Sequence, residues 1–183
     1  SSQIYLRSKE KASRALGLAG EIIALPAAVD AATLKGKIGE LNSRDDVDGI
    51  LVQLPLPSHL NAHDIICTIA PEKDVDGFHP FSLGNLLSNQ DGLRPCTPLG
   101  VVELLKYYEI PIEGRDAVII GRSLIVGKPL AALLTNENAT VTICHSKTKN
   151  LAEVAARADI LIAAMGKAAF VLPNFVKEGA TVI

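Results

Sequence analysis

Along this chain, apolar residues spaced three and four apart give way to short unbroken apolar runs, and the two patterns predict different elements. Residues 2–16 fit a helix with Gly17 as its stop. Residues 21–25 read as a short strand ended by Pro26. Asp30 caps a helix to residue 41 whose apolar face is Leu34, Ile38 and Leu41. Gly49-Ile50-Leu51-Val52-Gln53-Leu54 is apolar on both faces and predicts a buried parallel strand, broken by Pro55-Leu56-Pro57. Asn61 caps a short helix to residue 69, residues 71–77 form a charged loop, and Thr97-Pro98 opens a helix to residue 108. Beyond residue 116 the pattern becomes regular. Strands at 117–120, 140–144 and 160–163 alternate with helices after Val126 and at 151–156, which is βαβαβ, half of a doubly wound nucleotide-binding fold. Thr181-Val182-Ile183 reads as the start of one more buried strand.

The chain is organised around Val118-Ile119-Ile120-Gly121-Arg122-Ser123-Leu124-Ile125-Val126-Gly127-Lys128-Pro129. A strand running through a glycine turn into a helix puts helix N–H groups and the positive dipole end where a phosphate can sit. Gly121 permits the sharp turn and Gly127 permits close helix–strand packing. Ser123 stands where a strict G-x-G-x-x-G has its second glycine, so on these residues alone a plain βα turn competes with a nucleotide site. The second strand of such a unit decides the cofactor, because an acid at its end binds the ribose 2′-hydroxyl of NAD. Here it ends in Cys144-His145-Ser146-Lys147-Thr148, without an acid, which suits the 2′-phosphate of NADP, and Arg122 can reach toward the same place. Gln53 is a polar amide at the carboxyl end of an apolar strand; a ligand contact and a hydrogen bond to loop backbone are equal readings of it. Acids beside glycine in Asp74-Val75-Asp76-Gly77 are on local grounds a solvated turn.

Composition narrows the classes. The 183 residues suffice for one large or two small domains, and 48% hydrophobic content supplies core material. With 4% aromatic residues and no Trp, that core is aliphatic and the surface lacks platforms for stacking bases. A net charge of −2 without a basic block argues against nucleic acid as a partner. Cys67, Cys96 and Cys144 are far apart and odd in number, which reads as reduced thiols in the cytoplasm or another reducing compartment. The histidines do not cluster at metal spacing, and no apolar run approaches a membrane span. A start without Met inside a helix and an end inside a strand read as a piece of a longer chain.

Five motifs occur in order: Tyr5-Leu6-Arg7-Ser8-Lys9, Val52-Gln53-Leu54-Pro55-Leu56-Pro57, Lys73-Asp74-Val75-Asp76-Gly77-Phe78, Pro95-Cys96-Thr97-Pro98, and Gly121-Arg122-Ser123 with Val126-Gly127 and Pro129. Together they closely resemble the bifunctional methylenetetrahydrofolate dehydrogenase/methenyltetrahydrofolate cyclohydrolase family, over essentially the whole chain. The resemblance implies two α/β domains with a cleft between them: a folate-binding catalytic domain at 1–96 and a Rossmann-like NADP-binding domain at 97–183. It implies NADP-dependent oxidation of 5,10-methylenetetrahydrofolate and hydrolysis of the methenyl product to 10-formyltetrahydrofolate, with NAD as the alternative cofactor. It further implies tetrahydrofolate derivatives as ligands, a cytoplasmic homodimer and no metal.

Carried over residue by residue, the resemblance makes Lys9 the acid/base of the cyclohydrolase step, with Tyr5 on the same helical face and Gln53 tuning it. Asp76 holds the pterin ring. Val52, Leu54 and Pro98 join Tyr5, Gln53 and Asp76 around the substrate, and Gly121, Arg122, Ser123, Val126, Gly127, Ser146 and Gly166 bind the cofactor. A lysine does such work near neutrality only when desolvation or a cation lowers its pKa, and a methenyl substrate is itself cationic. The family pattern also has a segment before the Tyr-x-x-x-Lys helix and a later Pro-Gly-Gly-Val-Gly-Pro-Met-Thr motif that this sequence does not contain. Two other readings compete. A second two-domain NADP dehydrogenase, resembling shikimate dehydrogenase, leaves Gln53-Leu54-Pro55 and Asp74-Val75-Asp76-Gly77 unexplained. A catalytically inert nucleotide-binding fragment is the reading from a different class.

Overall fold

The computed structural model describes the backbone of residues 2–183 and the side chains from Ser8 onward. Its contacts divide the chain into two compact units, Ser1–Ile69 and Ala70–Ile183.

In the first unit, α1 is Ser2–Ala15, α2 is Ala31–Asn42 and α3 is Ala62–Ile66. Gly17 ends the first helical segment at φ +73°. The Asp30 carboxylate accepts the Thr33 N–H at 2.7 Å and caps α2; this bond and the Thr33 hydroxyl hold it below the usual carboxylate range. Asn61 caps α3 through the His63 and Asp64 N–H groups. Leu34 and Ile38 of α2 pack with Ile50, Leu60, Ile65 and Ile69 in one apolar cluster. The two strands expected here are corrected. Residues 21–25 run as exposed, unassigned backbone, and of residues 49–54 only Ile50 makes a strand bridge. Their residues favour extended backbone, but a strand exists only when a neighbouring ladder takes its N–H and C=O groups, and the described residues of this unit offer them none.

The second unit opens with a 3₁₀ turn at Pro71–Lys73, then α4 (Pro80–Leu87) and α5 (Cys96–Tyr107). The pattern missed α4, whose N-cap is His79 and which starts on Pro80. The expected cap of α5 is also corrected: its N-cap is Pro95, with no side-chain hydrogen bond, so Thr97 lies inside the helix. Packing and the expected domain cut separate at residues 70–96, because Leu86 joins the core of the second unit and its carbonyl accepts Asn136 Nδ2 at 3.0 Å.

Then come β1 (Asp116–Ile120), α6 (Gly127–Asn136), β2 (Thr140–Cys144), α7 (Leu151–Ala155), β3 (Ile160–Ala163) and β4 (Thr181–Val182). The strands form one parallel sheet in the order β2-β1-β3-β4. Residues alternate between its faces. Ala117, Ile119, Ile160 and Ile162 pack with Leu105 of α5 and with Leu130 and Leu134 of α6. Val118, Ile120, Cys144 and Leu161 pack on the other side with Ala155 of α7. Burial on both faces explains why β1 and β3 read as unbroken apolar runs.

Candidate functional site

β1 lies between β2 and β3, and the chain winds from it first to one side and then back to the other. In parallel sheets ligands bind outside the carboxyl ends of the strands at such a switch point. Two glycines leave the backbone no spare room there. Gly121 has φ +137°, and a Cβ on it would lie 2.4 Å from the carbonyl oxygen of Ala164, the residue after β3. A Cβ on Gly127 would lie 2.2 Å from the Gly121 carbonyl oxygen. Only hydrogen fits at either position, so turn and helix start sit against the strand ends. Ser123 Oγ accepts the Val126 and Gly127 N–H groups at 3.1 and 3.3 Å and fixes the entry to α6. Arg122 is exposed on the same turn. Gly121, Ser123, Val126 and Gly127 are thus brought together, at the start of a ten-residue helix. A glycine turn leading straight into a helix N-terminus suits a dinucleotide pyrophosphate.

The end of β2 adjoins this turn, since the Gly121 N–H donates to the Cys144 carbonyl at 2.8 Å. Past it, the His145 N–H donates to Thr148 Oγ1 at 2.8 Å and the Lys147 N–H to His145 Nδ1 at 3.1 Å. This closed turn presents Ser146 and Lys147 to solvent, and no carboxylate lies among residues 144–149. The Cys144 thiol is buried, and burial pushes its pKa up against an opposing hydrogen bond from Thr148. Gly166 is exposed beyond β3 at φ +65°.

In the first unit, Lys9 is half-buried on α1. Tyr5 lies one helical turn earlier in the same helix by its backbone, and its side chain lies outside the described residues. Val52, Gln53 and Leu54 are consecutive and half-buried. Gln53 Nε2 donates to the Leu54 carbonyl at 2.8 Å, while its buried Oε1 has no donor among the described residues. Half of the side chain therefore answers to loop backbone, and the other half is an acceptor awaiting a donor.

The solvated reading of the acidic loop is corrected by its first aspartate. Asp74 is only 1% exposed, and its Oδ2 accepts the His79 N–H at 2.7 Å and the Ser82 hydroxyl at 3.2 Å. Nothing in the residue pattern signals these donors, because they sit on α4 and its cap, an element the pattern does not predict. Asp76 is half-buried in the turn that follows, and Pro98 is fully buried in α5. Among the described residues there is no group of three or more His, Cys, Asp or Glu side chains able to hold a metal.

A parallel sheet with a switch point and a glycine-lined βα turn places the second unit in the nucleotide-binding α/β class. Comparison with known proteins is more specific. Residues 95–183 match the family described as tetrahydrofolate dehydrogenase/cyclohydrolase, NAD(P)-binding domain, and residues 1–76 match its catalytic domain. A curated relative from Ligilactobacillus salivarius, named Bifunctional protein FolD, is 56% identical over 100% of this chain and 64% of its own length. The crystal structure of the bifunctional FolD enzyme from Campylobacter jejuni superposes with a TM-score of 0.95 at 47% identity, over 99% of this chain and 64% of that one. The Trypanosoma brucei enzyme, complexed with NADP cofactor and inhibitor, gives a TM-score of 0.93 at 38% identity, over 99% of this chain and 62% of that one. The chain belongs to the tetrahydrofolate dehydrogenase/cyclohydrolase family. It spans less than two thirds of the length of these relatives. The match of both halves to one family decides against the shikimate-dehydrogenase-like alternative.

Proposed function

We propose that the protein oxidises 5,10-methylenetetrahydrofolate to 5,10-methenyltetrahydrofolate with NADP and hydrolyses that product to 10-formyltetrahydrofolate. Family membership supports both reactions, and the single observation that carries the site is the buried Oε1 of Gln53, without a donor among the described residues, beside Val52 and Leu54. When bound, NADP supplies the acceptor for the hydride that leaves the methylene carbon. Ser123 shapes the turn for the pyrophosphate, with Gly121, Val126, Gly127 and Gly166 around it. Arg122 and Ser146 answer the 2′-phosphate where NAD-specific folds carry an acid. Lys9 takes a proton from the water that adds to the methenyl carbon and returns it to the ring nitrogen as the carbon–nitrogen bond opens, while the second proton of that water leaves to solvent as the formyl C=O forms. With substrate bound, Gln53 Oε1 receives an N–H of the Lys9 amine and holds it in register, and Tyr5 flanks it. Asp76 accepts from the pterin ring, and Leu54, Val52 and Pro98 complete the apolar surroundings.

The functional division at 96/97 is part of this proposal and is supported by the second family match beginning at residue 95. So are assembly as a homodimer, which rests on the resemblance, and work in the cytoplasm, with which three free cysteines accord. The intact protein, given methylenetetrahydrofolate and NADP, is expected to form reduced nicotinamide, methenyl and then formyl product; no reduced nicotinamide would overturn the dehydrogenase reading. Arg122→Ala is expected to lower the ratio of NADP to NAD turnover about tenfold or more, the worth of one charge-assisted contact. An unchanged ratio would refute that contact.

A further inference from the structure

We propose that Asp74 is a positioning residue for folate recognition, its buried carboxylate locking the loop that carries Asp76, a role that rests on the assignment of Asp76 to the pterin ring. Asp74 grips the loop from both of its ends. Its carbonyl accepts the Gly77 N–H at 3.0 Å, and its carboxylate accepts the His79 N–H at 2.7 Å. The same oxygen takes the hydroxyl of Ser82, which is 2% exposed in the first turn of α4. Residues 75–78 are therefore bracketed, with Asp76 inside the bracket. Gly77 closes the remaining side. It has φ +66°, and a Cβ on it would lie 2.6 Å from the Arg94 carbonyl carbon and 2.8 Å from the Pro95 nitrogen, so the turn is seated on that backbone.

The choice of a carboxylate is informative. An asparagine oxygen could take the same two donors without burying a charge, and burying a charge is costly. The His79 N–H and the Ser82 hydroxyl are both uncharged, so neither makes an ion pair that would account for it. What the charge adds is a stronger, stiffer bond to the His79 N–H, short at 2.7 Å, and a favourable place at the start of α4. Stiffness is worth its cost where a side chain two residues away must meet a planar ligand at a fixed angle.

The test is a double-mutant cycle in the intact protein, read as KM for methylenetetrahydrofolate and KM for NADP. Asp74→Ala is expected to raise the folate KM about tenfold, the scale of a lost buried hydrogen bond to a charged group, and to leave the NADP KM in place. Asp74→Asn is expected to recover only part of that loss, because it presents an oxygen to both donors but lacks the charge that stiffens the bonds. In an Asp76→Ala background, Asp74→Ala should add nothing further to the folate KM. An equal rise in both backgrounds, or a matching rise for NADP, would show a merely structural role and overturn the proposal. If Asp76→Ala alone leaves the folate KM unchanged, the assignment of Asp76 fails instead. Should Asp74→Ala not fold, Ser82→Ala removes one donor and is expected to give a smaller rise that likewise vanishes without Asp76; persistence of that rise would overturn the proposal.

Discussion

A buried acceptor with no donor costs on the order of 1–3 kcal/mol, and Gln53 Oε1, unpaired among the described residues, carries that cost. Chains keep such an atom where a substrate or a catalytic partner supplies the donor. Gln53→Met is therefore expected to leave the thermal midpoint at or above that of the parent while slowing methenyl hydrolysis about tenfold or more. A fall in midpoint with unchanged hydrolysis would mean that the amide serves the loop alone. The sequence marks Gln53 as anomalous but leaves its two readings equal; the structure shows the loop-backbone bond made by Nε2 and Oε1 without a donor among the described residues. Asp74 is legible only as an acid near glycine. Its burial depends on donors from α4 and its cap, and a segment opening His79-Pro80 with Gly84 inside gives little helical signal.

At the scale of elements, the second unit is readable because both faces of its sheet are covered. Strands at 140–144 and 160–163 follow from β-branched runs between polar turns, and the observed ladders keep those bounds. The helices of the first unit are readable too, but its extended segments are not, since extended backbone and a paired strand have the same sequence signature. Two predictions belong here. Gly127→Ala puts a methyl group 2.2 Å from the Gly121 oxygen and 2.6 Å from its carbonyl carbon. Relief requires α6 to back away from β1, at a cost of about 1–3 kcal/mol. The expected result is a lowered midpoint with NADP binding weakened in parallel; native binding by calorimetry would contradict the cradle. Asp159 ties β3 to its neighbours, accepting from Lys177 Nζ at 2.6 Å and from the Asp116 N–H at 3.0 Å. Chiefly the lysine, and then the N–H, hold its carboxyl below the usual range. A pKa lowered by folding means stabilisation that is present above the unfolded value and lost as pH falls through the folded one. Asp159→Asn is expected to melt below the parent at neutral pH, with the gap closing under acid below about pH 4. A gap that stays constant under acid would deny the carboxylate that role.

For the whole molecule, the two proposed activities ask different things of the protein. Oxidation needs a hydride acceptor held in place, the task proposed for the Gly121–Gly127 turn. Hydrolysis needs a proton carrier, and Lys9 is given that task alone. The two should therefore come apart in a single variant. In the intact Lys9→Met protein, supplied with methylenetetrahydrofolate and NADP, reduced nicotinamide is expected to keep forming while methenyltetrahydrofolate accumulates. Its conversion to 10-formyltetrahydrofolate should fall at least about 10²-fold, the smallest share usual for general acid–base catalysis. Hydrolysis at the parent rate in that variant would contradict the assignment of the proton carrier to Lys9.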